Sequence, residues 1–328
     1  MISFKLRKNI FAGLAGLAIW LGLIGNVPGR AADENGSTST VPGLVRVAIG
    51  PGTWVGVNRN DASAAISVWA KAIMQQRGSS LNVQIRMFDT PEALGDALKR
   101  GEVDGVSMLT DQFLTLDPAQ LSDTVYLVTR DHAFSENYVL LTHQGTGVEA
   151  VGGLAGRKLL VLDNARACLA MPWLETVLAH DSLGSAKDFF GTMTKIENPS
   201  KAVLQVFFHQ ADACLVTANV FELACELNPQ LRKELRVLAV SPAIIPGLFC
   251  FRSGYTPSIR NQMESAMMSL NQTASGLQVL TVFQSDGMVK CPLTSLDGTR
   301  RLLAEYERIK PSSRTSRASD SPSPASHP

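Results

Sequence analysis

One phrase occurs twice in this chain, and it limits the fold more than any other feature. Residues 101–113 read GEVDGVSMLTDQF and residues 209–221 read HQADACLVTANVF. Each follows a stretch with apolar residues at helical spacing: Leu94, Ala97 and Leu98 in one case, Val203, Leu204, Val206 and Phe207 in the other. Each then has a turn, an aspartate (Asp104, Asp212), a short apolar run, a polar cluster (Thr110–Asp111, Thr217–Asn219) and a phenylalanine (Phe113, Phe221). The pattern is helix, tight turn, buried strand, new helix start. Written once in each half, it predicts two similar α/β lobes with a cleft between them. Ligands of open α/β sheets bind beyond the carboxyl ends of the strands, near helix N-termini. The alternative is two ordinary βαβ units inside one domain.

With 328 residues, 45% of them hydrophobic and 18% charged, the chain can bury one large or two medium cores. A net charge of +1 gives nucleic-acid binding no electrostatic support. The ends stand apart from the core. Lys5, Arg7 and Lys8 precede the apolar run IFAGLAGLAIWLGLIG, and Gly29, Ala31 and Ala32 follow it. A charged, then apolar, then small-residue order is that of a secretory signal, which assigns residues 1–32 to a leader. The run is short for a membrane-spanning helix of about 20 residues. The expected product is therefore periplasmic, exported and soluble. Residues 33–43 and 310–328 are polar and rich in Ser and Pro and read as disordered flanks.

Between the flanks, Val45–Ile49 alternates as a strand, and a glycine-rich loop with Trp54 and Asn58 follows it. Thr90–Pro91–Glu92 opens a helix that Gly101 closes. Strands are expected at 103–109, 125–128, 138–141, 159–162, 193–196, 213–216, 237–240 and 248–251, and helices at 258–270, 276–284 and 296–309. Lobe 1 is assigned residues 44–140 plus 248–309 and lobe 2 residues 141–247, with hinge-like crossovers near 138–142 and 240–250. The five cysteines (Cys168, Cys214, Cys225, Cys250, Cys291) show no C-x-x-C spacing, and the scattered histidines show no metal-ligand spacing. Neither a metal nor a cofactor is called for.

These phrases, in their order, resemble the periplasmic phosphonate/phosphate-binding proteins of ABC importers. The carrying segments are VRVAIGP, ALKRGEVDGVSMLT, YVLLTHQGTGVEAVGGLAGRKLLVLDN, HQADACLV and SPAIIPGLFCF, and the resemblance covers about Val45 to Ile309. The resemblance implies a type II periplasmic-binding fold: α/β, two-lobed, each lobe a mixed sheet flanked by helices and joined by two crossover strands. It also implies a monomeric receptor for a small solute, with a phosphonate- or phosphate-like oxyanion as candidate ligand and a membrane permease or sensor as partner. Phosphonate binders of this kind carry a hydroxyl-rich turn after the second lobe's first strand. Here that turn reads DNARAC, residues 163–168, with no Ser or Thr. Helix-start amides and the Arg166 guanidinium are left to meet an anion.

The ligand-facing candidates follow from the cleft geometry. Trp54 and Asn58 lie in the loop after the first strand, and Thr110 and Asp111 after the third. Tyr138 sits at the first crossover, Asn164 and Arg166 in the DNARAC turn, and Thr217 and Asn219 after the paired strand of the second half. Helix capping competes for Thr110, Asp111, Thr217 and Asn219, and hinge packing for Tyr138. No catalytic motif is present. The competing class is an exported thiol enzyme using Cys168, whose pKa would fall at a helix start.

Overall fold

A computed structural model of the chain describes residues 43–53, 82–282 and 285–310. The expected leader, nearly all of the linker after it, the tail beyond Lys310, and the segment from Trp54 to Leu81 lie outside the described residues, and with them Trp54 and Asn58.

Two mixed sheets form in sequence. The first receives β1 (Leu44–Ile49), β2 (Asn82–Met87), β3 (Gly105–Leu109) and β4 (Leu121–Thr129). The chain crosses through 130–137 and builds the second from β5 (Tyr138–His143), β6 (Lys158–Leu162), β7 (Thr192–Ile196), β8 (Ala213–Thr217) and β9 (Leu235–Val240). It returns through 241–246 and adds β10 (Gly247–Arg252) and β11 (Gly287–Pro292) to the first. Strand order is β11-β4-β10-β3-β1-β2 in one sheet and β7-β6-β8-β5-β9 in the other. The two share a plan. A parallel trio (β2-β1-β3, β7-β6-β8) is followed by one strand antiparallel to both its neighbours: β10 in the first sheet, β5 in the second. In each case that strand comes straight after a crossing. The sequence places the first crossing near 138–142; that stretch is instead β5, buried along its whole length, and the connection runs just ahead of it.

The helices are α1 (Pro91–Lys99), α2 (Thr110–Phe113), α3 (Ala170–His180), α4 (Ala186–Phe189), α5 (Pro199–Phe207), α6 (Ala218–Leu227), α7 (Gln230–Glu234), α8 (Pro257–Met268), α9 (Ala274–Val282) and α10 (Asp297–Ile309). α1 shows why the pattern was readable. Thr90 Oγ1 accepts from the Ala93 amide at 3.2 Å, Pro91 fills the first turn, and Gly101 ends the run at φ +68°. Leu94, Ala97 and Leu98 fall on one buried face, and each leucine contributes about 2 kcal/mol of burial. The first sheet is covered on both sides. Val125, Leu127 and Cys250 share a core with Leu94 and Leu98 of α1. Their strand neighbours Tyr126, Phe249 and Phe251 share another with Met263 of α8 and Leu280 of α9. That is the two-residue alternation of a strand buried on both faces. The second sheet has one continuous core, in which Tyr138, Leu140, Leu159, Cys214 and Leu215 meet Trp173 and Leu174 of α3. Helix α10, which the sequence groups with lobe 1, places Leu302 in this second core and packs against α3.

The repeated aspartate does the same work twice. Asp104 donates its amide to the Arg46 carbonyl at 2.8 Å, and its carboxylate accepts the Arg46 amide at 2.9 Å. Asp212 donates to the Lys158 carbonyl at 3.1 Å and accepts the Lys158 amide at 2.9 Å. Each therefore fixes the start of its lobe's first parallel strand and sets the register of β3 on β1 and of β8 on β6. This physical requirement explains why the phrase is repeated.

Candidate functional site

The carboxyl ends of β3, β6 and β8 open toward the two crossings. α2 begins where β3 ends, and its first amide, that of Thr110, donates to the Pro246 carbonyl at 2.9 Å. From the second lobe, Cys168 Sγ reaches the same carbonyl at 3.5 Å. Pro246, in the second crossing, thus accepts from both lobes. Around it the sequence candidates divide into groups that the structure uses differently.

Those on the second lobe are engaged in building the fold. Asn164 Oδ1 accepts from the amides of Arg166 (3.1 Å) and Ala167 (3.0 Å), capping a short 3₁₀ turn at 165–167. Arg166 pairs through Nη1 with Glu136 Oε1 at 2.7 Å, both side chains largely buried, and Nη2 lies 3.4 Å from Ser285 Oγ. Thr217 Oγ1 caps α6 by accepting from the Val220 amide at 3.4 Å. Asn219 Nδ2 donates to Asp131 Oδ2, in the first crossing, at 2.9 Å. Tyr138 is fully buried. Its hydroxyl donates to the Arg166 carbonyl at 3.0 Å, and its amide donates to Ser241 Oγ at 2.7 Å, so it joins β5 to the DNARAC turn and to the second crossing.

The candidates on the first lobe behave otherwise. Thr110 Oγ1, Asp111 Oδ1 and Gln112 Oε1 are each buried with no hydrogen-bond partner among the described residues. Thr110 has no solvent exposure at all. Buried polar atoms of folded proteins are nearly always satisfied, so three orphans on successive residues mark a place where something else belongs. The Asp111 charge acts on both Cys168 and Tyr138 of the other lobe, whereas Gln112 Oε1 lies on its own lobe, 3.2 Å from where a Cβ on Gly50 would stand. Burial raises the Asp111 carboxyl above its ordinary range, while the amides of Gln112 and of Asp111 itself pull it back.

Burial also pushes the Cys168 thiol well up, and Asp111 pushes it the same way. The helix-start lowering expected from sequence is overridden by desolvation, and a thiol held protonated is a poor nucleophile. All five cysteines are free. Among the described residues no group of three or more His, Cys, Asp or Glu is placed to hold a metal. A hollow of about 260 Å³ lies away from the crevice, between α1 and residues 115–120, and none of the orphan atoms lines it.

Sequence reasoning missed Glu136, Gln112, Asp131, Pro246 and Ser285. Glu136 precedes an apolar strand, where a carboxylate reads as solvated. Its burial (6% exposed) follows from Arg166, 30 residues on, and no local pattern announces that pair.

The family described as ABC transporter, phosphonate, periplasmic substrate-binding protein matches residues 58–292. No curated protein matches the sequence. Among solved structures, the Xanthomonas citri protein XAC2383 bound to ATP superposes with a TM-score of 0.57 at 14% identity, covering 81% of this chain and 98% of that one. PhnD1 of Prochlorococcus marinus in complex with methylphosphonate gives 0.53 at 12% identity, with 82% and 100% covered. A binding protein component of an ABC phosphonate transporter from Pseudomonas aeruginosa gives 0.52 at 13% identity, with 81% and 87% covered. These likenesses show the fold, a two-lobed type II periplasmic-binding architecture.

Proposed function

This chain belongs to the phosphonate-binding family of periplasmic ABC-transporter substrate-binding proteins, and from that premise we propose that it is an exported, monomeric receptor. It takes a small solute between its lobes without altering it and delivers it to an ABC-type permease. Lobe 1 is built on the first sheet, between residues 44 and 129 and again between 247 and 292, and lobe 2 on the second, between residues 138 and 240, with helix α10 packed against it. The solute contacts residues Thr110, Asp111 and Gln112, with Arg166, Asn219 and Tyr138 holding the facing wall and Trp54 and Asn58 contributing from the loop after β1. The observation that carries this reading is the set of three orphan side-chain oxygens at 110–112, next to a crossing whose Pro246 carbonyl accepts from both lobes. A ligand that satisfies them stabilises only the closed arrangement, which is how a receptor signals occupancy to a partner.

The family description puts phosphonate-like oxyanions first among candidate cargoes, and the methylphosphonate complex of the Prochlorococcus protein is in line with that. The leader-like N-terminus supports export, and no helix among the described residues is long and apolar enough to cross a membrane. The test is small-angle scattering with thermal denaturation across a panel of small solutes. A receptor grows more compact and melts higher with its cargo, because a ligand bound only by the folded state adds to its apparent stability. A chain whose radius of gyration and melting temperature stay fixed across a broad panel is not a receptor of this kind.

A further inference from the structure

Asp111 Oδ1 is buried and has no hydrogen-bond partner among the described residues. The amides of Gln112 and of Asp111 itself act on this carboxyl, yet Oδ1 stays unmet. The two groups of the second lobe that feel its charge have already given their hydrogens elsewhere. The Tyr138 hydroxyl donates to the Arg166 carbonyl at 3.0 Å, and the Cys168 thiol donates to the Pro246 carbonyl at 3.5 Å. Burial holds both of them protonated, so neither changes charge around neutral pH. An ionised carboxylate only accepts, so a solute group that meets Oδ1 has to bring a hydrogen of its own. A fully ionised oxyanion has none, and would leave Oδ1 unpaired beside a second negative charge. A phosphoryl oxyanion does have one. Such a group gives up its last proton only around neutrality, at about pH 6 for a phosphorylated side chain, whereas a sulfonate or sulfate is ionised throughout that range. Its ionised oxygens need donors, and the Thr110 hydroxyl, next in the chain, is fully buried and unpartnered. Arg130 and Arg166 also repel one another, which an anion between the lobes relieves.

We infer that the solute is held as a singly protonated phosphoryl oxyanion, its P–OH donating to Asp111 Oδ1 and the Thr110 hydroxyl donating to an ionised oxygen, and that Asp111 is the residue that rejects sulfonates and sulfate. The inference rests on the receptor reading and sharpens the cargo class within it. The family description names phosphonates but gives no means of telling them from other anions of the same shape. Methylphosphonate and methanesulfonate are nearly the same tetrahedron, and one hydrogen separates them. A carboxylate is suited to detect that hydrogen, because a hydroxyl or a carboxamide can turn to serve either ion. With the matching ion, Oδ1 gains a charge-assisted O–H···O⁻ bond, one of the stronger kinds. With the wrong ion, Oδ1 stays buried and unmet, and specificity comes from that cost.

The experiment is calorimetric titration of the full chain at about pH 6, where the phosphoryl proton is retained. Two pairs of like shape serve as probes: methylphosphonate against methanesulfonate, and inorganic phosphate against sulfate. In at least one pair the parent should prefer the phosphoryl member about tenfold or more, as expected when one charge-assisted hydrogen bond is gained or lost. Asp111→Asn puts in the same place a group that can donate as well as accept, and should shrink that preference to about threefold or less, chiefly by tightening the sulfur anion. The ligand-free melting temperature of the variant, near that of the parent, shows that it folds, and the parent's own preference is measured without any variant. A parent that binds methanesulfonate and sulfate as tightly as their phosphoryl partners overturns the inference and leaves the receptor reading standing. A preference that survives Asp111→Asn undiminished overturns the assignment of Asp111. If none of the four anions binds, the inference is overturned, and the receptor reading falls with it only if the wider solute panel also leaves the scattering and the melting temperature unchanged.

Discussion

Thr110 and Thr217 stand one position apart in the repeated phrase, where a buried strand gives way to a helix: Thr217 is the N-cap of α6 and matches Leu109, while Thr110 is already the first residue of α2, and the two do opposite things. Thr217 Oγ1 closes its own helix onto Val220, whereas Thr110 Oγ1 is buried and bonds to nothing described. The preceding aspartates also diverge. The Asp104 side chain is 3% exposed, receives Arg46 through both Nε (2.9 Å) and Nη2 (2.8 Å), and has Arg252 at 3.9 Å. The Asp212 side chain is 37% exposed and takes Arg157 at 3.3 Å. The first lobe thus has a strongly fixed base beneath an unsatisfied tip, while the second has a looser base beneath a satisfied one. Such a division suits a clamp in which one jaw carries the unmet bonding capacity and the other supplies a finished surface.

The sharpest way to break this contrast is at the aspartates. Asp104→Ala strands Arg46 in a largely buried place and should lower unfolding stability by about 3 kcal/mol or more, whereas Asp212→Ala should cost about 1 kcal/mol. Equal costs in urea titration would mean that the two bases are equivalent after all. Next in size is Gly105→Ala. A Cβ there would lie 2.6 Å from the Phe249 ring, so the exchange should destabilise by about 2 kcal/mol, although the matching position in the second lobe, Ala213, already carries one. A third comparison uses the threonines. Thr217→Ala should cost about 1 kcal/mol through the lost cap. Thr110→Val removes an unpaired hydroxyl and should leave ligand-free stability nearly unchanged while weakening the solute that compacts the parent. If Thr110→Val destabilises as much as Thr217→Ala, the Thr110 hydroxyl has a structural partner and the asymmetry disappears.

The smallest expected effect concerns pH and belongs to the second lobe alone. His143, in β5, accepts the Gly145 amide on Nδ1, and its ring lies 4.0 Å from that of His209. Burial lowers its pKa first and His209 lowers it further, with Glu234 opposing them weakly. The unfolded chain therefore takes up this proton more readily than the native one. The contribution is present above the ordinary histidine value of about 6.5 and is lost as pH falls through the lower native value. Urea midpoints measured from pH 7.5 to 5 should decline, and His143→Gln should flatten the decline. A profile that keeps its slope in that variant places the titration elsewhere.

Much of this architecture could be read in advance because it rests on local rules. The Thr90–Pro91 helix start, the Gly101 stop and the apolar runs that became β3 and β8 are short-range signals, and the repeated phrase gave the two-lobed plan and the family. The crossing was misplaced because Tyr138–His143 sits next to it and is as β-rich as any connecting strand; only pairing with β8 and β9 shows that it belongs inside the second sheet. The structure gives the described site candidates different roles. Asn164 and Thr217 follow the capping rule that competed for such residues. Arg166 was read as a free cation because Glu136 lies 30 positions away, and Gln112 was passed over because an amide one residue into a helix carries no distinguishing pattern.

The strands that sit beside the crossings also set an order of assembly. β5 opens the second sheet, so everything that lobe's sheet needs, β5 to β9, is contiguous between Tyr138 and Val240. β10 lies between β3 and β4 in the first sheet but is synthesised only after the whole second sheet. As the chain leaves the ribosome, the first sheet keeps a gap at its centre until residues 247–252 arrive, so the second sheet is the first able to close, and α10 joins its core last.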